Sequence, residues 1–180
     1  MSEQGLEKVL LTQEEIREIV KRLGREITEA YKDSDKQLVV IGLLRGSFIF
    51  MADLVREIKR PMITDFMTIS SYGDETVSSG DVKVVMDLDE TITDCDVLVV
   101  EDIIDTGNTF SKVIRMLENR DPASLKICTL LNKPCRRVAE VNIDFCGVDI
   151  PDEFVCGYGL DYAQQFRNVP YVGIYTGPTD

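Results

Sequence analysis

Residues 97–109 constrain the fold and the chemistry of this chain more than any other stretch. Residues 97–100 form an uninterrupted apolar run, which is typical of a strand buried on both faces of a sheet. The acidic pair Glu101-Asp102 follows, and residues 106–109, directly after Asp105, are small or hydroxylated. A helical pattern begins behind them. The stretch therefore predicts a strand that ends in a site, where backbone amides at a helix N-terminus cradle a phosphate.

The same order of elements recurs along the chain. A capping box at Thr12 and Glu15 starts a helix predicted to end near residue 31, and a second apolar strand at 38–44 leads through a glycine turn into a helix at 48–58. This alternation predicts an α/β fold with a central, mostly parallel sheet flanked by helices. Ligands of such sheets bind beyond the carboxyl ends of the strands. Five charged residues are predicted just past strand ends and are expected to converge there: Arg45, Glu101, Asp102, Asp105 and Lys133.

Composition excludes some classes of protein. The 20 Lys and Arg against 32 Asp and Glu give a formal charge of −12, which opposes nucleic-acid or membrane-surface binding because both need a basic footprint. The five cysteines include no C-x-x-C pair and predict free thiols in a reducing cytoplasm. We find no signal peptide or membrane-spanning run. The 180 residues are expected to form one cytoplasmic domain, 1–180, with a mobile surface loop at about 71–82.

The paired carboxylates of Glu101 and Asp102 need an explanation beside a phosphate cradle. Carboxylates repel a phosphate unless they hold something between them, either a divalent cation or the hydroxyls of a sugar. A phosphorylated ribose meets this description. The simpler alternative is that Asp102 or Asp105 caps the following helix, which is less favoured beside a Thr-Gly-x-Thr turn.

Further short motifs are spread over most of the chain. In order, they are Leu44-Arg45-Gly46, Ser71-Tyr72, Leu131-Asn132-Lys133-Pro134, Ile150-Pro151-Asp152, Phe154-Val155-x-Gly157-Tyr158, Leu160-Asp161-Tyr162 and Phe166-Arg167. Together with residues 97–109, this series resembles the type I phosphoribosyltransferases, and more narrowly the hypoxanthine-guanine phosphoribosyltransferases. The resemblance implies the type I phosphoribosyltransferase fold, in which a small hood is built from the N- and C-terminal segments. It also implies a purine-salvage enzyme that depends on Mg²⁺ and forms a homodimer or homotetramer.

The implied reaction transfers the 5-phosphoribosyl group of phosphoribosyl pyrophosphate to N9 of hypoxanthine or guanine, giving IMP or GMP and pyrophosphate. By this resemblance Asp105 would lie near the purine N7 and exchange a proton with the base. The other residues implied to bind phosphoribosyl pyrophosphate are Glu101, Asp102, Thr106, Gly107, Asn108, Thr109, Leu44, Arg45, Gly46 and Arg167. Of these, Glu101 and Asp102 would face the ribose hydroxyls and the metal.

The base side is assigned by the resemblance too. Lys133 would donate to the oxygen on purine C6, which favours 6-oxopurines over adenine because an ammonium group only donates. Phe154 would stack on the ring, and Val155 would offer backbone groups to its edge. Asp161 would lie at the base site and hold a second magnesium ion with pyrophosphate, while Ser71 and Tyr72 would belong to a lid.

Two residues depart from the family pattern, and the sequence opposes two other functions. Asn108 and Arg45 stand where lysine is common, which changes the charge or its geometry near the phosphates. An RNA-binding regulator of the same fold is opposed by the charge of −12 and by the absence of a basic cluster. A receiver-type signalling domain is excluded by order, because its acidic pair lies on the first strand.

Overall fold

The computed structural model describes residues 5–71 and 82–177 of the chain. The strands and helices, numbered along the chain, are β1 (Leu6–Leu11), α1 (Gln13–Ala30), β2 (Leu38–Leu44), α2 (Phe48–Glu57), β3 (Ile63–Ser71), β4 (Val82–Met86), β5 (Asp96–Ile104), α3 (Asn108–Glu118), β6 (Ser124–Asn132), β7 (Phe145–Asp149), β8 (Val155–Cys156) and β9 (Val172–Tyr175). A 3₁₀ turn, Pro134–Arg136, follows β6.

A six-stranded sheet in the order β4-β3-β2-β5-β6-β7 forms the centre of the molecule. Its strands run parallel except for β4, which pairs antiparallel with β3 at one edge. β2 and β5 lie side by side in the middle, and their apolar residues are buried except Leu44 and Ile103, which are partly buried. Such strands read as continuous hydrophobic runs because helices cover both faces of the sheet. The predicted α/β fold with a mostly parallel sheet is confirmed.

Alternate residues of the central strands face two separate cores. Val40 and Leu98 face the core that contains residues of α1 and α2, whereas Val39 and Val97 face the core that contains residues of α3. The helix starts follow local chemistry. The predicted capping box at the start of α1 is present, with the Glu15 amide donating to Thr12 Oγ1 at 3.3 Å and the Thr12 amide donating to Glu15 Oε2 at 2.8 Å.

The second sheet is small and joins the two ends of the described chain. Its strands have the order β1-β9-β8, with antiparallel pairing throughout. The Thr176 amide also donates to the Gly5 carbonyl at 2.9 Å. This sheet is the hood that the family resemblance implied. The sequence patterns marked no strand at β1, since Leu6 is its buried residue while Val9 is half exposed.

The boundary of β5 corrects one prediction. The strand was expected to stop before the acidic pair, but it continues to Ile104, because its pairing with β6 extends through Glu101 opposite Thr129 to Ile104 opposite Asn132. Glu101 and Asp102 therefore lie within the strand rather than beyond it. Among the described residues, no helix has the length and apolar character needed to cross a membrane.

Candidate active site

The carboxyl ends of β2, β5 and β6 open into a cavity of about 610 Å³. Most of the predicted site residues line it: Leu44, Arg45, Gly46, Glu101, Asp102, Asp105, Thr106, Gly107, Thr109, Lys133, Phe154, Val155, Asp161 and Arg167. Asn108, in the first turn of α3, is not among the lining residues. The cavity therefore brings together side chains from four segments that are far apart in the sequence.

The phosphate cradle predicted at residues 106–109 is a tight turn between β5 and α3. Gly107 has a left-handed φ of +79°, and a Cβ at this position would lie 2.7 Å from the Ala139 carbonyl oxygen. A glycine is needed here both for the backbone conformation and for the close approach. Inside the turn the Asn108 amide lies 3.4 Å from Thr106 Oγ1, and the helix follows directly. Because the first amides of a helix have no partner within it, this turn suits an anion.

The acidic pair on β5 is electrostatically strained. Burial of the carboxyl group, and then the negative charge of Asp102, raise the pKa of Glu101 well above its ordinary value. The Asp102 carboxylate accepts a hydrogen bond from the Ile103 amide at 2.7 Å. It also packs closely against Gly46, where an added Cβ would lie 1.6 Å from Asp102 Oδ2. Both acids therefore lie in the cavity, and Asp102 also fixes the loop that follows β2.

Asp105 follows β5 directly and meets a cation that the sequence patterns did not single out. Its Oδ1 is buried and accepts no hydrogen bond from the described residues, although Arg136 Nε lies 3.3 Å away. Arg136 Nη1 also lies 3.5 Å from Asp152 Oδ1. The Arg136 side chain thus lies between the carboxylate after β5 and the loop that leads to Phe154.

The loop after β2 contains the cis peptide bond between Leu44 and Arg45. Ser47, which is completely buried, donates from Oγ to the Leu43 carbonyl at 2.6 Å and closes the loop onto the strand. Gly159 packs against the other side, where a Cβ would lie 2.2 Å from the Gly46 carbonyl oxygen. The loop after β2 is therefore clamped between Asp102 and the segment at 157–160.

Arg167 reaches the same loop region from the C-terminal part of the chain. Its guanidinium donates to the Gly159 carbonyl at 2.7 Å and pairs with Asp161 at 2.7 Å. Both side chains of the pair are largely buried. This places a cation and a carboxylate at one wall of the cavity, next to Arg45.

A lysine and an aromatic ring also line the cavity. Lys133 directly follows β6, is only 5% exposed, and donates from its backbone amide to the Ile104 carbonyl at 3.0 Å. Phe154 is half exposed and its ring contacts Tyr162 and Tyr175 at centroid distances of 5.9 and 6.0 Å. A buried lysine and an accessible ring that line one cavity fit a flat ligand that carries a hydrogen-bond acceptor.

Comparison with known proteins gives this site its family. A model of the phosphoribosyl transferase domain matches residues 8–163. Over 166 residues the chain is 57% identical to the hypoxanthine phosphoribosyltransferase of Salmonella typhimurium, which spans 92% of this chain and 93% of that protein. The chain belongs to the hypoxanthine phosphoribosyltransferase family. It is therefore an enzyme, a transferase that moves phosphoribosyl groups.

Other relatives of this phosphoribosyltransferase agree. It is 48% identical to the hypoxanthine-guanine phosphoribosyltransferase of Bacillus subtilis over 174 residues, covering 97% of this chain and 96% of that one. The crystal structure of a hypoxanthine phosphoribosyltransferase from Staphylococcus aureus superposes with a TM-score of 0.89 at 46% identity, covering 95% and 92% of the two chains. The predicted family and the type I phosphoribosyltransferase fold are thus confirmed.

The sequence patterns overlooked three side chains around the site of this phosphoribosyltransferase. Arg136 contacts Asp105, Gln164 contacts two arginines, and Tyr175 contacts the ring of Phe154. For Arg136 the sequence offered one indication, because Lys133 of the Leu-Asn-Lys-Pro motif lies three residues before it. Nothing in the sequence marks Gln164 or Tyr175, because their partners are distant in the chain or separated by a turn.

Of the two residues predicted for the lid, Ser71 lies within the described residues. Ser71 is the last residue of β3, and β4 begins at Val82, so the loop at about 71–82 connects β3 to the antiparallel edge strand β4. Tyr72 and the rest of the loop to residue 81 lie outside the described residues. The lid therefore stays a prediction.

Proposed function

We propose that this phosphoribosyltransferase joins the 5-phosphoribosyl group of phosphoribosyl pyrophosphate to N9 of hypoxanthine or guanine, in purine salvage. The products are IMP or GMP and pyrophosphate. One observation carries the proposal: the donor-only ammonium of buried Lys133 and the ring of Phe154 share a cavity with the carboxylates of β5 and the turn at Gly107. An ammonium group distinguishes a 6-oxo group, which accepts hydrogen bonds, from the 6-amino group of adenine, which donates them.

Asp105 is the proposed acid-base residue. Its carboxylate is to exchange a proton with purine N7 while the bond from N9 to C1′ of the ribose forms and the bond from C1′ to pyrophosphate breaks. The negative charge also stabilises the positive charge that develops on the ribose ring. The chain contains no histidine, the residue that most often performs this step, and the carboxylate of Asp105 is proposed in its place.

The phosphates are proposed to bind at two places. The turn of Thr106, Gly107, Asn108 and Thr109 is to take the ribose 5′-phosphate, because its backbone amides begin helix α3. Pyrophosphate is to bind the loop of Leu44, Arg45 and Gly46 together with Arg167, where two guanidinium groups face one part of the cavity.

Magnesium is the proposed cofactor. Glu101 and Asp102 fit a divalent cation because they are adjacent carboxylates whose mutual repulsion, added to burial, raises the pKa of Glu101. Asp161 would contact a second ion on the pyrophosphate side. Among the described residues no three acidic or cysteine side chains cluster as a complete metal site, so substrate oxygens are to complete the coordination shell. The bound ion would neutralise the leaving pyrophosphate.

Assembly and compartment are proposed as well. We expect a homodimer or homotetramer, because the large apolar side chains of Phe48, Phe66, Val85 and Met86 are each at least 36% exposed on α2, β3 and β4. We also propose a cytoplasmic enzyme, since all five cysteines are free thiols. Light scattering on the purified protein measures the assembly.

An absorbance assay with phosphoribosyl pyrophosphate, magnesium and a panel of hypoxanthine, guanine, xanthine, adenine and uracil tests the reaction. We expect turnover with 6-oxopurines and none with uracil. Excess chelator should abolish it, and added magnesium should restore it. Turnover that prefers adenine would refute the base assignment, and full activity in excess chelator would refute the role of magnesium.

A further inference from the structure

One amide oxygen lies between the two arginines on the leaving-group side of the cavity. Gln164 Oε1 accepts a hydrogen bond from Arg45 Nη1 at 3.1 Å and another from Arg167 Nη2 at 3.2 Å. The orientation of the amide follows from chemistry, because guanidinium groups only donate and the oxygen is the accepting end. Gln164 does not line the cavity itself. It acts on the cavity through the two cations that do.

The backbone holds Gln164 in this place. Ala163 and Gln164 both have left-handed φ values, of +49° and +66°, inside a turn closed by the Gln165 amide, which donates to the Tyr162 carbonyl at 2.9 Å. The backbone N–H of Gln164 in turn donates to Asp161 Oδ2 at 2.8 Å. Such a conformation costs free energy in a residue with a side chain and persists where surrounding contacts require it.

The charge balance around Gln164 explains why a neutral acceptor matters. Asp161 already pairs with Arg167 at 2.7 Å, so Arg45, Arg167 and Asp161 together leave one net positive charge. An amide oxygen brings the two guanidinium groups together without cancelling that charge. A carboxylate in the same place would pair with both arginines and compete with an anionic ligand.

We propose that Gln164 is a positioning residue for the pyrophosphate group: it draws Arg45 and Arg167 to one point and leaves them charged for the leaving group. The inference rests on the proposed function, because it assigns the two arginines to pyrophosphate. It adds a residue whose neutrality sets the affinity of this phosphoribosyltransferase for its leaving group, while the affinity for the purine is set elsewhere.

The test compares Gln164→Glu with Gln165→Glu, which makes the same charge change at the next residue, also exposed. The readout is the KM for pyrophosphate in the reverse reaction with IMP. We expect Gln164→Glu to raise this KM roughly tenfold, as for one lost charge-assisted interaction. Gln164→Leu should raise it less, about threefold, because it removes the contact without adding a charge. Gln165→Glu and the KM for hypoxanthine in the forward reaction should stay within about twofold of wild type.

Two results would overturn the inference: equal effects of Gln164→Glu and Gln165→Glu, or a loss of turnover in Gln164→Glu with all KM values unchanged. Arg167→Ala separates this failure from a failure of the proposed function. If Arg167→Ala raises the KM for pyrophosphate and Gln164→Glu does not, the inference alone is wrong. If Arg167→Ala leaves that KM unchanged, the leaving-group side has been misassigned and the inference falls with it.

Discussion

The cradle side and the hood side of the cavity are built in different ways. The cradle comes from one contiguous segment, in which the buried strand β5 runs through the turn at Gly107 into α3. The hood side comes from residues 150–167, which turn repeatedly and depend on β1 and β9 behind them. A phosphate can be held by backbone amides, whereas a base and a leaving group are distinguished by side chains. The first task needs only local structure, and the second needs residues brought from afar.

The backbone angles show the same contrast. Across residues 96–118 the left-handed residue is Gly107, a glycine. Between residues 157 and 166, left-handed values occur at four residues that carry side chains, namely Tyr158, Ala163, Gln164 and Phe166. Such residues are uncommon and need support from their surroundings. The hood side therefore depends on its side-chain contacts, while the cradle is held by the sheet.

The largest effect is expected at the carboxylate after β5. Asp105→Asn should lower turnover by about 10²-fold or more, a typical acid-base contribution, while the KM for phosphoribosyl pyrophosphate stays nearly unchanged because the cradle is intact. Steady-state kinetics measure both. Asp121→Asn is the matched control, since Asp121 is exposed and asparagine tolerates its φ of +53°. Turnover of Asp105→Asn near the wild-type value would remove this residue from the chemistry.

The next effect concerns Lys133, which is proposed to contact the purine base. Lys133→Met keeps the apolar stem and removes the charge, so the kcat/KM for hypoxanthine should fall about 10- to 100-fold, as for one lost hydrogen bond to a charged group. The ratio of hypoxanthine to adenine use should fall with it. The same kinetics with both bases measure the ratio, and an unchanged preference would place Lys133 outside the base site.

A smaller effect should appear behind the ring of Phe154. Tyr175 stacks on Tyr162 at 4.3 Å and contacts both Phe154 and Phe166, so it is the centre of this ring cluster. Tyr175→Leu should raise the KM for hypoxanthine about three- to tenfold and leave the KM for phosphoribosyl pyrophosphate alone.

The control for the ring cluster comes from the same small core. Tyr171 packs there with Leu6 and Cys156 but is not a member of the cluster. If Tyr171→Leu raised the KM for hypoxanthine as much as Tyr175→Leu, the effect would reflect general loosening of the hood. The contrast between the two sides would then concern stability and not positioning.

The smallest effect on activity is expected at the junction between the hood and the main sheet. Thr12→Ala removes the capping box of α1 and should lower the free energy of unfolding by about 1 kcal/mol. Urea denaturation measures this loss. Both KM values should stay within about twofold of wild type, since Thr12 is exposed and does not line the cavity. A selective rise in the KM for hypoxanthine would show that the start of α1 contributes directly to binding of the base.

The same contrast explains what the sequence could predict. β2 and β5 could be predicted because residues buried on both faces leave an uninterrupted apolar run, and α1 because its cap is local. The length of β5 could not, since its last residues are acidic and are held in the strand by pairing with β6. β1 could not either, because a short strand with little burial leaves no periodic pattern.

The site divides along the same line. The cradle residues and Asp105 form one contiguous sequence motif, and this motif alone was enough to predict a phosphate site. Lys133, Phe154 and Arg167 needed the family resemblance, since a lone lysine, phenylalanine or arginine is ordinary in any sequence. Gln164 needed the structure, because its two partners, Arg45 and Arg167, are brought together by tertiary contacts.

The pairing of β1 with β9 sets an order of events during synthesis. β1 leaves the ribosome before the strands of the central sheet, and β9 leaves after them. The strands of the central sheet and the cradle at Gly107 are complete once residue 149 has emerged, so this part has its partners early. Until residues 172–175 follow, β1 has no strand to join and the rings behind Phe154 are incomplete. A nascent chain thus acquires the turn at Gly107, the proposed 5′-phosphate site, before it acquires the aromatic cluster around Phe154.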